Sequence, residues 1–144
     1  MSNFKSIINT LDNFCSEHYQ INEFGWGPIS NISTKDQDFV LVWFLPTGAR
    51  VEHSSTILKG NLYVIDLLKQ NDENLLDIHN DTFLIGRDFI SEFYDQEDVY
   101  DFVMNEEADA EPFQHKFDDY TAGWIFTIEI EYENSVNICN IPKD

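Results

Sequence analysis

The stretch FDDYTAGWIFTIEIEY, Phe117–Tyr132, sets the class of fold because its second half alternates strictly between apolar and polar residues. From Trp124 onward every second residue is aromatic or aliphatic, and a threonine and two glutamates stand between them. Because successive side chains of a strand point to opposite faces, the alternation predicts a half-buried strand of an antiparallel sheet at about 123–133. We expect Trp124 to be buried against a helix that covers this sheet.

Two adjacent aspartates, Asp118 and Asp119, precede the strand and suggest an acid–base pair. Neighbouring residues of a strand face opposite ways, so these two carboxylates are poorly placed to share one substrate or metal ion. They stand directly before Tyr-Thr-Ala-Gly, where aspartate is common because its side chain bonds nearby backbone N–H groups. The pattern favours a solvated turn that leads into the strand over a catalytic pair.

Hydrophobic periodicity predicts the other elements of the chain. Continuous runs rich in valine and aromatic residues indicate strands covered on both faces, and apolar spacings of three and four residues indicate helices. In chain order the predicted elements are a helix at about 3–19, strands at about 38–46 and 58–68, a helix at about 74–94, and short strands within 99–104 and 113–117.

Local signals add detail to these elements. Ser2 is the expected N-cap of the first helix, and Asp72 or Asn74 is the expected N-cap of the second. Gly86 lies within the apolar stripe of the second helix, where glycine costs about 1 kcal/mol relative to alanine. We therefore expect another part of the chain to pack closely against it. The stretch EFGWGP, Glu23–Pro28, predicts a turn whose tryptophan anchors it on a hydrophobic surface.

The order of elements predicts a single α+β domain over residues 1–144, with an antiparallel β-sheet and two helices packed on one face of it. Two polar segments between the predicted elements, 46–57 and 105–111, are candidate protruding loops. The first is alternatively a flexible hairpin, and the second is alternatively a hairpin tip.

Charge is the extreme feature of the composition. The chain has 27 acidic residues against 8 lysines and arginines, a formal net charge of −19, and eight acids but no base between Asp95 and Glu111. Such a chain repels nucleic-acid backbones and anionic membranes. The acidic segment is a solvated loop, a face for a basic partner, a mimic of DNA charge, or the lining of a channel through which DNA slides.

Motifs of catalysis and cofactor binding are missing from the sequence. Cys15 and Cys139 form no CxxC pair, and Cys15 falls on a helical apolar stripe, which indicates a buried free thiol. The four histidines form no HxH or HExxH pattern, and no serine has a GxSxG setting. No apolar run approaches the roughly 20 residues of a membrane span, and nothing resembles a signal peptide. We expect no enzyme, no cofactor and no metal site, and synthesis in a reducing cytoplasm.

Several stretches carry a resemblance to a known group of proteins. They are HYQINEFGWGPISNIS, DFVLVWFLP, NLYVIDLL and PFQHKFDDYTAGWIFTIEIEY, which span roughly residues 18–132. These stretches resemble small structural proteins of tailed bacteriophages that infect Bacteroides and related bacteria, including the crAss-like group. The element order also resembles the tail-terminator and tail-completion fold, which is helix, β-hairpin, helix, β-hairpin.

The resemblance implies a ring of six or twelve identical subunits around the DNA exit path, and no chemistry. A ring interface is heterologous, so each subunit offers two different surfaces. The expected function is a virion protein of the head-to-tail connector or short tail, assembled in the bacterial cytoplasm. Its expected partners are further copies of itself, the portal, adaptor and tail proteins, and double-stranded DNA that passes without specific binding; no membrane is expected. The interface candidates are Trp26, Arg50, Glu52, His53, Glu106, Glu107, Asp109 and Glu111.

A second hypothesis is an acidic DNA-mimic inhibitor of a host DNA-binding protein, such as an anti-restriction protein. Small size, the charge of −19 and the acid-rich segment are all typical of such proteins. The aromatic content of 15% and the resemblance to phage structural proteins argue against it. An enzyme is the third hypothesis.

Overall fold

The computed structural model describes residues 2–117 and 120–133; the aspartate pair Asp118–Asp119 and Cys139 lie outside the described residues. Within the described ranges the chain is a mixed α+β structure with one six-stranded sheet and three α-helices. In chain order the elements are α1 (Phe4–Glu17), β1 (Glu23–Trp26), β2 (Leu41–Val51), β3 (Ser55–Leu67), α2 (Leu75–Phe93), α3 (Glu97–Tyr100), β4 (Val103–Met104), β5 (Asp109–Lys116) and β6 (Thr121–Glu133), with 3-10 turns at Ile29–Asn31 and Gln70–Asp72.

The sheet has the order β1-β2-β3-β6, and β4 and β5 follow one another along the outer edge of β6. The strand predicted from the alternating stretch is confirmed as β6, which pairs with β3 from Ser55↔Glu133 to Leu67↔Thr121. Every pairing from β2 onward is antiparallel. The first pair, β1 with β2, is parallel and corrects the expectation of a purely antiparallel sheet.

The predicted turn at Glu23–Pro28 is wrong, because its first four residues form the edge strand β1. Gly25 lies under the indole ring of Trp43, and a Cβ atom at this position would overlap that ring. The indole Nε1 of Trp43 donates a hydrogen bond to the carbonyl oxygen of Gly27, at 2.9 Å. The close approach of Trp43 therefore requires glycine at position 25. Because glycine is uncommon inside strands, the sequence pattern does not predict a strand here.

Both predicted long helices are present, at slightly shorter bounds. The N-cap of α1 is Asn3 rather than Ser2, since Asn3 Oδ1 accepts from the backbone N–H of Ser6 and Ser6 Oγ accepts from that of Asn3, each at 2.8 Å. The Ser2 hydroxyl instead donates to the carbonyl oxygen of Asp101, at 2.9 Å. Asn74 occupies the N-cap position of α2, but its side chain makes no capping bond.

The largest cluster of buried side chains combines α1 and α2 with one set of alternate residues from β2, β3 and β6. Phe126 of β6 is buried in it, and a Cβ atom at Gly86 of α2 would overlap the Phe126 ring. The close approach expected at Gly86 is thereby confirmed. The opposite face of the sheet carries a second cluster, which consists of Ile32, Leu41, Trp43, Tyr63, Ile65 and Phe113.

The two candidate protruding loops are largely strand. Residues 46–51 complete β2 and 55–57 begin β3, so only 52–54 connect the strands, and the hairpin alternative describes the segment. Pro46 and Gly48 flank a β-bulge, where residues that rarely occur in strands are tolerated. For this reason the sequence predicted that the strand ends at residue 46, whereas β2 continues to Val51. In the second segment, 105–108 is a connection and 109–111 begins β5.

The short strands predicted near the acidic segment also shift. Residues 97–100 are helical, the strand within 99–104 reduces to β4, and the strand predicted at 113–117 begins earlier, at Asp109.

Over the described ranges, the helices are too short or too polar to cross a lipid bilayer.

Candidate interaction surfaces

The tip of the β2–β3 hairpin is an exposed surface that mixes apolar and charged side chains. Val51 exposes 76% of its surface at the end of β2. Arg50 Nε lies 3.1 Å from Glu52 Oε1, and the backbone N–H of Glu52 donates to the carbonyl oxygen of Ser55. His53 is exposed at the turn itself. Three of the interface candidates therefore share this tip.

The hairpin tip lies at the same end of the sheet as the end of β6, because Ser55 pairs with Glu133. Glu52 lines one surface depression together with Glu97 of α3 and Glu131 of β6. An adjoining depression adds Asp98 and Asp101. Residues distant in sequence thus build one acidic end of the sheet. Among the described residues no group of acids, histidines or cysteines is arranged to hold a metal ion.

A groove of about 410 Å³ separates α2 from the edge strand β5. Helix residues at spacings of three and four form one wall, the small side chains of Ala108 and Ala110 form the other, and Phe126 forms the floor. The lining mixes apolar and polar surface, with a cation on the helix and a carboxylate on the opposite wall. The lining residues are Phe83, Arg87, Ile90, Ser91, Tyr94, Glu106, Ala108, Ala110 and Phe126.

The groove exists because the edge of the sheet is interrupted between β4 and β5. Met104 pairs with Ile130 and Asp109 pairs with Thr127, so residues 105–108 bulge out opposite a shorter stretch of β6. The backbone N–H of Asn105 still donates to the carbonyl oxygen of Glu129, at 2.9 Å. Glu106 and Ala108 of this bulge line the groove.

A tyrosine ties this bulge to the helix. Tyr94, the C-cap of α2, hydrogen-bonds to the carboxylate of Glu106, and this bond raises the pKa of the Tyr94 hydroxyl. Glu107 is exposed beside it. The connection 105–108 is therefore bonded to α2 through Glu106 and exposed to solvent at Glu107.

The second half of β5 is a blunted sheet edge. Pro112 has no N–H to offer a neighbouring strand, and His79 Nε2 donates to the carbonyl oxygen of Phe113, at 3.1 Å. His115 sits at a bulge with φ 57° and lies 2.9 Å from Asp72. Such features disfavour pairing with another strand. The candidates Asp109 and Glu111 lie in the first half of β5, beyond these features.

Trp26 lies at the other edge of the sheet, at the end of β1. Its side chain is 49% exposed and meets Phe4 of α1 edge-to-face, with ring centroids 5.5 Å apart. The interface candidates therefore occupy three separate places: the β1 edge, the hairpin tip and the β5 edge. The structure does not bring them into one site.

Sequence analysis missed the groove residues Arg87 and Tyr94 and the exposed Val51. One available signal was that Arg87 is the sole lysine or arginine between Lys69 and Lys116. An isolated base in so acidic a stretch stands out by composition alone. The groove itself depends on the interrupted edge strand, which no local pattern indicates.

Titratable groups with shifted pKa values are dispersed and locally explained. Burial raises the pKa of the Cys15 thiol far above its usual range, which agrees with an inert buried thiol. A hydrogen bond to Glu92 raises the pKa of Tyr100 to about 12. Burial, and to a smaller extent Asp81, raises the pKa of Asp66. These groups line no common cleft, in contrast to the clustered shifts of catalytic sites.

The candidate interaction surfaces are an exposed hairpin tip, an acidic end of the sheet and a groove of mixed polarity. Comparison with protein-family models matched no family, and comparison with curated proteins gave no match.

Proposed function

We propose that this protein is a structural subunit of a phage head-to-tail connector or short tail, where identical copies form a ring around the DNA channel and join the portal and adaptor to tail components. The observation that carries the proposal is a pair of unlike surfaces on one sheet, the β2–β3 hairpin tip at its end and the α2–β5 groove at its edge. A closed ring needs such a heterologous pair on every subunit.

The arrangement of elements also supports the proposal. Both long helices share the largest core cluster with the same set of alternate strand residues, which favours a sandwich with two helices on one face of the sheet. The order helix, β2–β3 hairpin, helix, β5–β6 hairpin agrees with the tail-terminator fold that the sequence resembles. The edge strand β1, the short helix α3 and the short strand β4 are additions to that order.

The charge of the subunit suits a DNA channel. A ring of copies at −19 each is strongly negative, and double-stranded DNA carries one negative charge per roughly 1.7 Å of helix axis. Repulsion between the two keeps the DNA from adhering to the lumen. We expect acids to outnumber bases wherever the ring meets the channel.

A DNA-mimic inhibitor is the second candidate, and one observation favours it. Glu129, Glu131 and Glu133 are alternate residues of β6 and share one face, so their carboxylates repeat about every 7 Å along the strand. Such a row resembles a line of phosphates more than a random acidic surface does. The α2–β5 groove has no role in this hypothesis.

Mass spectrometry of purified virions tests the two candidates. The connector proposal predicts that the protein is present in virions of the phage that encodes it, at a fixed copy ratio to the portal. It also predicts ring-shaped particles by electron microscopy. Absence from virions, together with a salt-sensitive complex with a host DNA-binding protein, would instead establish the DNA mimic.

A further inference from the structure

We infer that the β2–β3 hairpin tip of one copy docks into the α2–β5 groove of the next copy, with Val51 in the apolar part of the groove and Glu52 beside Arg87. This inference rests on the proposed ring and names the contact that would build it. The occupant of the groove is thus a second copy of this chain.

The groove has the chemistry of a receptor for an apolar side chain with a neighbouring carboxylate. Its floor is the Phe126 ring, its walls alternate apolar side chains with Arg87 and Glu106, and its volume of about 410 Å³ suits a ligand the size of a few side chains. Arg87 has no acidic partner within 4.0 Å among the described residues. The Glu106 carboxylate lies across the groove, and Arg87 is the one cation that the described part of the chain places in its lining, where it can pair with an incoming anion.

The hairpin tip has the complementary chemistry. Val51 exposes an apolar side chain, and the next residue is Glu52. In the free subunit Glu52 pairs with Arg50, but the two side chains are 45% and 69% exposed. An exposed ion pair contributes little to stability, so Glu52 can exchange Arg50 for Arg87 at little cost. Burial of the exposed Val51 side chain in the groove favours the docked state.

Within one subunit the hairpin tip lines no part of the groove, so both surfaces are open to contact with other copies. The hairpin joins β2 and β3, whereas the groove lies beyond β6, on the far edge of the sheet. A tip-to-groove contact leaves one free tip and one free groove on every pair of copies. Repetition of this heterologous contact gives a ring or a filament rather than a closed dimer.

Disulfide trapping between two variants tests the contact directly. Val51→Cys and Ala110→Cys are placed on separate full-length copies, each with Cys139→Ser to remove background, while Cys15 stays because it is buried. We expect a cross-linked dimer in the mixture and little in either variant alone. The matched control replaces Val51→Cys by Tyr19→Cys, since Tyr19 is also highly exposed but lies away from the tip. Cross-linking of Val51→Cys with itself would contradict the heterologous contact.

A charge swap tests the Glu52–Arg87 pair. Arg87→Glu and Glu52→Arg should each weaken self-association about 10-fold, and the double variant should recover most of it. Lys59→Glu is the control, because it makes the same change of charge at an exposed site outside both surfaces. Sedimentation velocity at high protein concentration measures association. Equal losses in Arg87→Glu and Lys59→Glu, without recovery in the double variant, would overturn the pairing.

The same variants in phage particles separate failure of the contact from failure of the function. If the protein is present in virions at a fixed ratio but the Val51–Ala110 cross-link does not form there, the docking inference is wrong and the connector proposal stands. If the protein is absent from virions and forms no rings, the connector proposal itself fails. Trapping in both the purified protein and the particles supports the docking inference.

Discussion

Gly86 shows how one residue links the sheet to its helix. An alanine methyl group would overlap the ring of Phe126, which is buried at the centre of the core. Alanine improves helix propensity by about 1 kcal/mol, but overpacking a tight core costs about 1–3 kcal/mol. We therefore expect Gly86→Ala to lower the free energy of unfolding, measured by urea titration. The control is Asn80→Ala at an exposed position of α2, which should be neutral or slightly stabilising. Equal or greater stability of Gly86→Ala would mean that the helix can shift outward freely.

Trp124 binds β6 to α2 through both its ring and its indole N–H. The ring lies 4.9 Å from that of Phe83, and Nε1 donates to the carbonyl oxygen of His79, at 2.8 Å. Because the side chain is only half-buried, we expect Trp124→Ala to cost about 3 kcal/mol, at the lower end of the range for large aromatics. Trp124→Phe, which removes the hydrogen bond but keeps an aromatic ring, should cost about 1 kcal/mol. Thermal melts of the original protein and of both variants measure these losses. If neither substitution lowers the melting temperature, Trp124 acts in an interface between subunits instead.

Asp66 gives a pH dependence whose sign follows from its surroundings. Burial and the nearby Asp81 raise its pKa, while a hydrogen bond from the backbone N–H of Leu67 partly opposes them. The folded state therefore disfavours the charged form. Asp66 costs no stability below the unfolded pKa of about 3.9, where its carboxyl is protonated in both states. The free energy of unfolding falls as pH rises through the folded pKa of Asp66.

Asp66→Asn keeps the acceptor oxygen and removes the charge, so it should stabilise the protein at pH 7 and lose this advantage at about pH 3. Asp36→Asn, at an exposed position, removes the same charge and serves as the control. Chemical denaturation of both variants across this range gives the comparison. A benefit from Asp36→Asn equal to that from Asp66→Asn would assign the effect to net charge alone.

At the scale of elements, sequence patterns predicted what is repetitive and missed what depends on contacts. The alternation of β6 and the helical stripes of α1 and α2 come from burial on one face, which periodicity reports directly. β1 was missed because the ring of Trp43 requires Gly25, and the outer half of β2 was missed because of its bulge.

The candidate interaction surfaces were likewise only partly predictable from the sequence. Acidic and polar segments marked the hairpin and the β5 edge, but their composition did not show that they are strands. The groove needs α2, the bulge at 105–108 and the floor of β6 together, so it exists only in three dimensions. The sequence alone does not indicate that Arg87 lines this groove.

The hairpin tip offers a prediction about assembly that leaves the sheet intact. Removing more of the hairpin would break strand pairs and expose the buried Thr56. Replacing residues 52–54 with Asn-Gly, a favoured two-residue hairpin turn, removes the Glu52 carboxylate and His53 but keeps both strands. We expect a folded subunit, stable to within about 1 kcal/mol of the original, because surface changes usually have small effects. It should fail to enter particles when it replaces the natural protein during infection. Normal incorporation would show that the tip makes no required contact.

At the scale of the whole molecule, the net charge of −19 sets how stability and assembly respond to salt. Copies of this chain repel one another, and so do the many carboxylates within one copy. The Debye length falls from about 30 Å at 0.01 M salt to about 3 Å at 1 M, so added salt removes most of this repulsion. Added salt therefore weakens the repulsion within each subunit and between like-charged copies.

The two functional hypotheses predict opposite responses to that change. In a ring, contact between like-charged copies depends mainly on apolar burial, so salt should raise the melting temperature of the subunit and promote its self-association. A DNA mimic binds a basic partner through carboxylates, and its complex should weaken steeply as salt rises, as complexes with DNA do. Sedimentation velocity between 0.05 and about 0.5 M sodium chloride measures self-association and the complex with a basic partner, and thermal melts at the same salt concentrations give the melting temperature. This interval shortens the Debye length from above about 10 Å to well below it.

The variant Val51→Ser removes the apolar side chain of the tip without changing charge. It should abolish the salt-promoted association while leaving the salt-dependent rise in melting temperature. Association that salt dissolves, or that Val51→Ser leaves unchanged, would argue against apolar docking between copies.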